Sequence, residues 1–205
     1  MRSHPPPGAV LAVAMLAAAG LSLTACSSDD LPEMDATTPA KDAATQHSGT
    51  LAPPESATDA VSYNPAAPPG AEVTAEVVPA RDSTTVELTA NGLQPDRGYA
   101  VHAHTNHCGT TGEAAGPHFQ NRVDPAATPD KPSVDPAYAN PNNEIWLDLR
   151  TDSQGSATAR TTVPFTFTDR TPASLVVHDK PTTATSPGQA GTAGGRLACF
   201  TLRLP

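Results

Sequence analysis

Alternation of apolar and polar residues is the clearest signal along the chain, and it begins at residue 71. Ala71, Val73, Ala75 and Val77 alternate with Glu72, Thr74 and Glu76. Val86, Leu88 and Ala90 alternate with Thr85, Glu87 and Thr89, while Ile145, Leu147 and Leu149 share one face, as do Leu175 and Val177. Successive side chains of a strand point to opposite faces, so a period of two predicts strands with one buried face. The closing stretch 196–204 reads as a further strand, and Asn91-Gly92 and Gln154-Gly155 read as turns between runs. No long helical period competes. Short strands separated by turns predict an all-β fold, an antiparallel sandwich or barrel. Residues 105–144 break the rhythm, with six prolines and almost no periodicity. A loop of that length inside a compact domain generally carries function, and this one contains Cys108 and His118.

The stretch ahead of residue 71 has a different texture. Residues 27–70 are rich in Ser, Thr, Ala, Pro and Asp, with Tyr63 as the sole aromatic residue and no apolar period. A disordered tether is expected there, with His47 exposed to solvent and not a metal ligand. Still earlier, Arg2 precedes an apolar run over 9–23 that is too short for a membrane span and ends in Leu23-Thr24-Ala25-Cys26. This pattern reads as a bacterial lipoprotein signal in which Cys26 is lipidated and becomes the first mature residue; a plain secretory signal with a chance cysteine is the alternative. The expected organisation is a signal peptide over 1–25, a lipid-anchored tether over 26–70 and a folded head over 71–205. Lipid on Cys26 would hold the protein at the outer face of the cell membrane.

The net charge of −9 over 205 residues excludes a basic nucleic-acid footprint. It also offers little attraction to anionic membrane surfaces, so membrane attachment has to come from the lipid. The cysteines, Cys26, Cys108 and Cys199, are too far apart for a zinc ribbon or a redox pair. With Cys26 lipidated, Cys108 and Cys199 remain as a pair, and export places them where a disulfide persists.

The head contains five histidines: His102, His104, His107, His118 and His178. His102 and His104 lie two apart and would project from the same face of a strand, where imidazoles suit copper or zinc. An exposed polar pair would satisfy the same spacing. Further motifs follow in order: Gly116-Pro117-His118-Phe119, then Val176-Val177-His178-Asp179-Lys180, then Gly194-Gly195-Arg196-Leu197-Ala198-Cys199. Together these motifs resemble the copper–zinc superoxide dismutases over residues 71–205. The resemblance implies a Greek-key β-sandwich of about eight antiparallel strands with a long metal-site loop. It implies that His102, His104, His118 and His178 are copper ligands, with His118 in the place of the family's bridge between copper and zinc. It makes Arg196 the arginine that guides superoxide, and Cys108 and Cys199 the intrachain disulfide. His107 matches no ligand and reads as a loop residue. The implied activity converts superoxide to oxygen and hydrogen peroxide as copper alternates between two oxidation states.

The zinc half departs from the family pattern. No histidine lies between His118 and His178, and Asn140-Pro141-Asn142-Asn143-Glu144-Ile145-Trp146 stands where the family carries its zinc aspartate. Pro181, Thr182 and Thr183 occupy the place of aspartates after the last histidine motif. Asp124, Asp130, Asp135 and Glu144 could offer oxygens, but an all-oxygen set around one imidazole is a poor zinc site. The expectation is therefore a copper-only variant, with Glu144 holding His118 through a hydrogen bond; a solvated loop residue is the alternative for Glu144. Three functions fit such a head: a dismutase, a protein that holds or delivers copper, and a structural module that has lost its metal. Retention of the four histidines argues against the last. Arg196 favours the first, because copper storage needs no guide for an anion.

Overall fold

The computed structural model describes residues 43–128 and 130–205; the signal peptide expected over 1–25 and Cys26 lie outside them. The strands are β1 (Thr45–Thr50), β2 (Ala60–Ser62), β3 (Glu72–Pro79), β4 (Thr84–Asn91), β5 (Gly98–Tyr99), β6 (Val101–His104), β7 (Leu149–Arg150), β8 (Ala157–Val163), β9 (Ser174–His178) and β10 (Arg196–Thr201). One 3-10 turn, Gly112–Ala115, interrupts the long loop. One sheet has the order β1-β3-β4-β8, the other β2-β10-β9-β6, and β5 and β7 form a short ribbon. The pairings between these strands are antiparallel, as expected of a β-sandwich.

The core follows from the alternation in β3 and β4. Their register sets Val73 opposite Ala90, Ala75 opposite Leu88 and Val77 opposite Val86, and all six side chains are buried. The outward face is polar: the Thr85 and Thr162 hydroxyls meet at 2.8 Å, and Arg160 reaches Glu87 at 3.1 Å. In the second sheet, β6, β9 and most of β10 are buried on both faces. β6 turns Val101 and Ala103 into the main core. Alternation then sends His102 and His104 to the opposite face, where the long loop covers them. Strand β9 repeats the arrangement, with Leu175 and Val177 in the core and His178 on the other side.

The tether expected over 26–70 is corrected by the structure from residue 43 onward. β1 pairs along β3 from Thr45↔Val77 to Thr50↔Glu72, and β2 pairs with β10, so the sandwich starts before residue 71. The inward positions of β1 are Thr45, His47 and Gly49, so the strand carries no apolar alternation. Gly49 is small because Phe200 and Ala60 leave 3.0 and 3.1 Å for a Cβ there. His47 is half-buried and not solvated, and its Nε2 is shut off from water without a hydrogen-bond partner. Burial and then Arg203 lower its pKa, against an opposing effect of Asp59. Ile145 and Leu147 are buried as expected, but their stretch forms isolated bridges, Gln120–Glu144 and His102–Trp146, in place of a strand before β7. The closing strand ends at Thr201.

Candidate metal centre

Three elements bring the histidines together. β6 supplies His102 and His104, neighbouring β9 supplies His178, and the long loop supplies His118. Phe119 anchors that loop in the core, and its N–H donates to the Ala103 carbonyl at 2.8 Å, which sets His118 against His104. One nitrogen from each of His102, His104, His118 and His178 lies within 4.8 Å of the others. Among the described residues this is the one group of His, Cys, Asp and Glu side chains able to hold a metal. His107 is exposed and takes no part.

The partners on the far side of each ring decide what the inward nitrogens offer. The Thr183 hydroxyl donates to Asp148 Oδ1 at 2.7 Å, so it accepts from His102 Nε2–H at 2.6 Å. His104 Nδ1–H donates to the Gly116 carbonyl at 2.9 Å, and His178 Nδ1–H to the Gly194 carbonyl at 3.3 Å. His118 Nδ1–H donates to Glu144 Oε2 at 2.9 Å. Each ring thus carries its proton outward and presents a lone pair inward. His102 Nδ1 lies 2.9 Å from His118 Nε2, and His104 Nε2 lies 3.3 Å from His178 Nε2. Acceptors this close repel unless a cation lies among them, so the set fits a metal that prefers nitrogen. Burial, with the charges of neighbouring rings, holds His102 and His104 well below their ordinary pKa. Burial and His118 lower His178 to about 3. Neutral imidazole is the form that binds metal.

Arg196, at the start of β10, stands beside this group. Its two terminal nitrogens donate to the carbonyls of Gly112 and Gly116, each at 2.7 Å. The Gly116 carbonyl therefore serves both Arg196 and His104. Gly116 has φ 72 and ψ −162, backbone angles available almost solely to glycine. A disulfide joins Cys108 to Cys199 and ties the loop that bears Gly112 and Gly116 to β10. A cavity of about 560 Å³ opens onto the centre, with His118, His178, Glu144, Arg170 and Arg196 in its wall.

Of the acidic residues considered for a second metal, Glu144 is buried and holds His118, whereas Asp124 accepts from Ser133 and the Ala126 N–H. Asp135 accepts from the Ala137 N–H. Sequence reasoning missed Asp148, Thr183, Gln120 and Trp146. Thr183 stood out only as a departure from the family's aspartates, and nothing in the spacing tied it to Asp148, 35 residues away.

Comparison with known proteins agrees with this arrangement. The family model "Copper/zinc superoxide dismutase (SODC)" matches residues 71–201. The chain belongs to this dismutase family. Among solved structures, the Cu/Zn superoxide dismutase from Brucella abortus matches with a TM-score of 0.51 and 20% identity, over 78% of this chain and 100% of that one. At this identity the likeness speaks to the fold. A double mutant of a SOD-like protein from Bacillus subtilis matches with a TM-score of 0.44 and 16% identity, over 63% of this chain and 87% of that one. None of the curated proteins matches the chain.

Proposed function

We propose that this protein is a copper-dependent superoxide dismutase that works outside the cytoplasm, anchored to the outer face of the membrane by lipid on Cys26. The observation that carries the reading is the set of four inward lone pairs, each fixed by an outward hydrogen bond from the same ring. Such a set is ready for a nitrogen-preferring metal, and membership of the dismutase family supplies superoxide as the substrate. Copper bound there would supply alternation between two oxidation states, which imidazole ligands tolerate.

The chain's own residues have distinct tasks. Thr183, Gly116, Glu144 and Gly194 orient the rings and keep their protons away from the metal side. Arg196 places a permanent positive charge in the cavity wall, where a small anion arriving at the histidines meets it. A cleft concentrates this local field, so a net charge of −9 does not prevent attraction of superoxide. Glu144 engages the Nδ1 of His118, so that ring would have only its inward nitrogen to offer a metal, which favours a centre with copper alone.

Metal analysis of the purified exported protein tests this reading. We expect about one copper per chain and little zinc, from four imidazoles and no second nitrogen set. Stoichiometric, tightly held zinc beside copper would overturn the copper-only part. Failure of the folded protein to take up copper would overturn the whole.

A further inference from the structure

Two short extended stretches face each other beside His118. His118 and Gln120 alternate with Phe119, which enters the core; Glu144 and Trp146 alternate with Ile145, which does the same. A Gln120–Glu144 bridge joins the stretches. A period of two therefore sets His118, Gln120, Glu144 and Trp146 on one side of this pair. Glu144 is 1% exposed, and such a carboxylate is costly to bury unless donors surround it.

It has three donors. Oε2 receives Trp146 Nε1–H at 2.7 Å and His118 Nδ1 at 2.9 Å, and Oε1 receives Gln120 Nε2–H at 2.8 Å. The indole nitrogen can only donate. The Gln120 amide has one allowed orientation, because the Asp124 backbone N–H, also an obligate donor, reaches its Oε1 at 2.9 Å. Two donors of fixed sense thus surround Glu144, which leaves it as the acceptor for His118 Nδ1–H.

We propose that Gln120 and Trp146 are positioning residues of the centre, holding Glu144 so that His118 keeps its proton on Nδ1 and offers only Nε2 to a metal. This inference rests on reading the four histidines as a metal centre and is independent of which metal binds. It extends outward as well: Asp124 accepts from Ser133 at 2.6 Å, and both Gln120 and Ser133 line the cavity. The clamp on His118 is therefore continuous with the cavity wall.

Long-range proton–nitrogen NMR on the metal-free full chain tests the inference without reference to activity. In the wild-type protein we expect a single His118 tautomer with the proton on Nδ1. A proton on Nε2 would overturn the proposal whatever the variants do. In Trp146→Phe and Gln120→Met, each of which removes one donor and keeps an apolar body, we expect a mixture of His118 tautomers. Copper affinity should fall roughly ten-fold or more in each, the usual consequence of losing support for a ligand. Gln120→Glu, which sets an acceptor against an acceptor, should do worse than Gln120→Met. A purely structural role would lower the melting temperature and leave the tautomer unchanged; that result, with unchanged affinity, overturns the proposal. Copper uptake has no bearing on the tautomer in the metal-free chain, so failure of the copper reading would be seen separately.

Discussion

Gly116 is the residue at which fold and chemistry meet most closely, and Gly116→Ala tests that connection. Its φ of 72 and ψ of −162 lie in a region that costs other residues about 1–3 kcal/mol. A Cβ there would also stand 2.6 Å from Thr105 Oγ1 and 2.7 Å from Asn106 Nδ2, too close for either to remain in place. At about 2–4 °C per kcal/mol for a domain of this size, the strain lowers the melting temperature by roughly 2–12 °C. Relief of the strain moves the carbonyl that receives both His104 Nδ1–H and Arg196. Copper affinity should then fall by about ten-fold or more, as when a ligand loses its outer partner. The assay pairs thermal melting of the metal-free protein with a competitive copper titration. Gly70→Ala is the control, because Gly70 also has positive φ, 93, but nothing lies within 4 Å of its added Cβ. It should lose stability and keep its affinity for copper. If the two variants behave alike in both measurements, the Gly116 carbonyl does not organise the centre.

Four further outcomes are expected. Cys108→Ser opens a disulfide that spans 91 residues, so chain entropy predicts a loss of about 4–5 kcal/mol; an unchanged melting temperature would contradict it. His102, His104 and His178 have lowered pKa values, so below pH 6.5 the unfolded chain binds more protons than the folded one. The metal-free protein should therefore lose stability as pH falls, by up to about 1.4 kcal/mol per pH unit for each ring, continuing for His178 to about pH 3; denaturant titrations at several pH values check this. Trp146 is the chain's one tryptophan, and its ring lies 5.6 Å from that of His102, so copper(II) should quench its fluorescence stoichiometrically. Cys26→Ala should shift the protein from the membrane fraction to the soluble fraction; unchanged retention would mean that something other than lipid holds it there.

Strands were legible where their two faces differ in chemistry. β3 and β4 place valine, leucine and alanine inward and glutamate and threonine outward, so the period shows directly. β1 was hidden because its inner face is Thr45, His47 and Gly49, and because pairing with β3 decides its conformation. β8 was hidden for a related reason: its inward Ala157, Ala159 and Thr161 are too small or too polar to make an apolar stripe against the outward Thr158, Arg160 and Thr162. The four histidines could be found because they sit in short motifs with distinctive neighbours. Their supports could not, because Thr183 reaches His102 across 81 residues and Gln120 meets Glu144 across 24, and no local pattern encodes such pairings. Glu144 was found from its position relative to the missing zinc aspartate, while Trp146, two residues on, carried no metal-ligand signature at all.

The most direct test of the central claim is the rate of superoxide loss with copper-loaded protein, measured at rising ionic strength for the wild type and for Arg196→Glu. Arg196 touches the carbonyls of Gly112 and Gly116 and none of the four ring nitrogens, so the variant retains all four ligands, and both proteins are compared at full copper occupancy set by metal analysis. The wild type should turn over superoxide well above an equal amount of free copper, with a rate that falls as salt screens the attraction. Arg196→Glu should be much slower, with that salt dependence weakened or reversed. Full copper occupancy with no turnover above the free-copper control, and no effect of Arg196→Glu, would contradict the dismutase and leave a protein that holds or delivers copper.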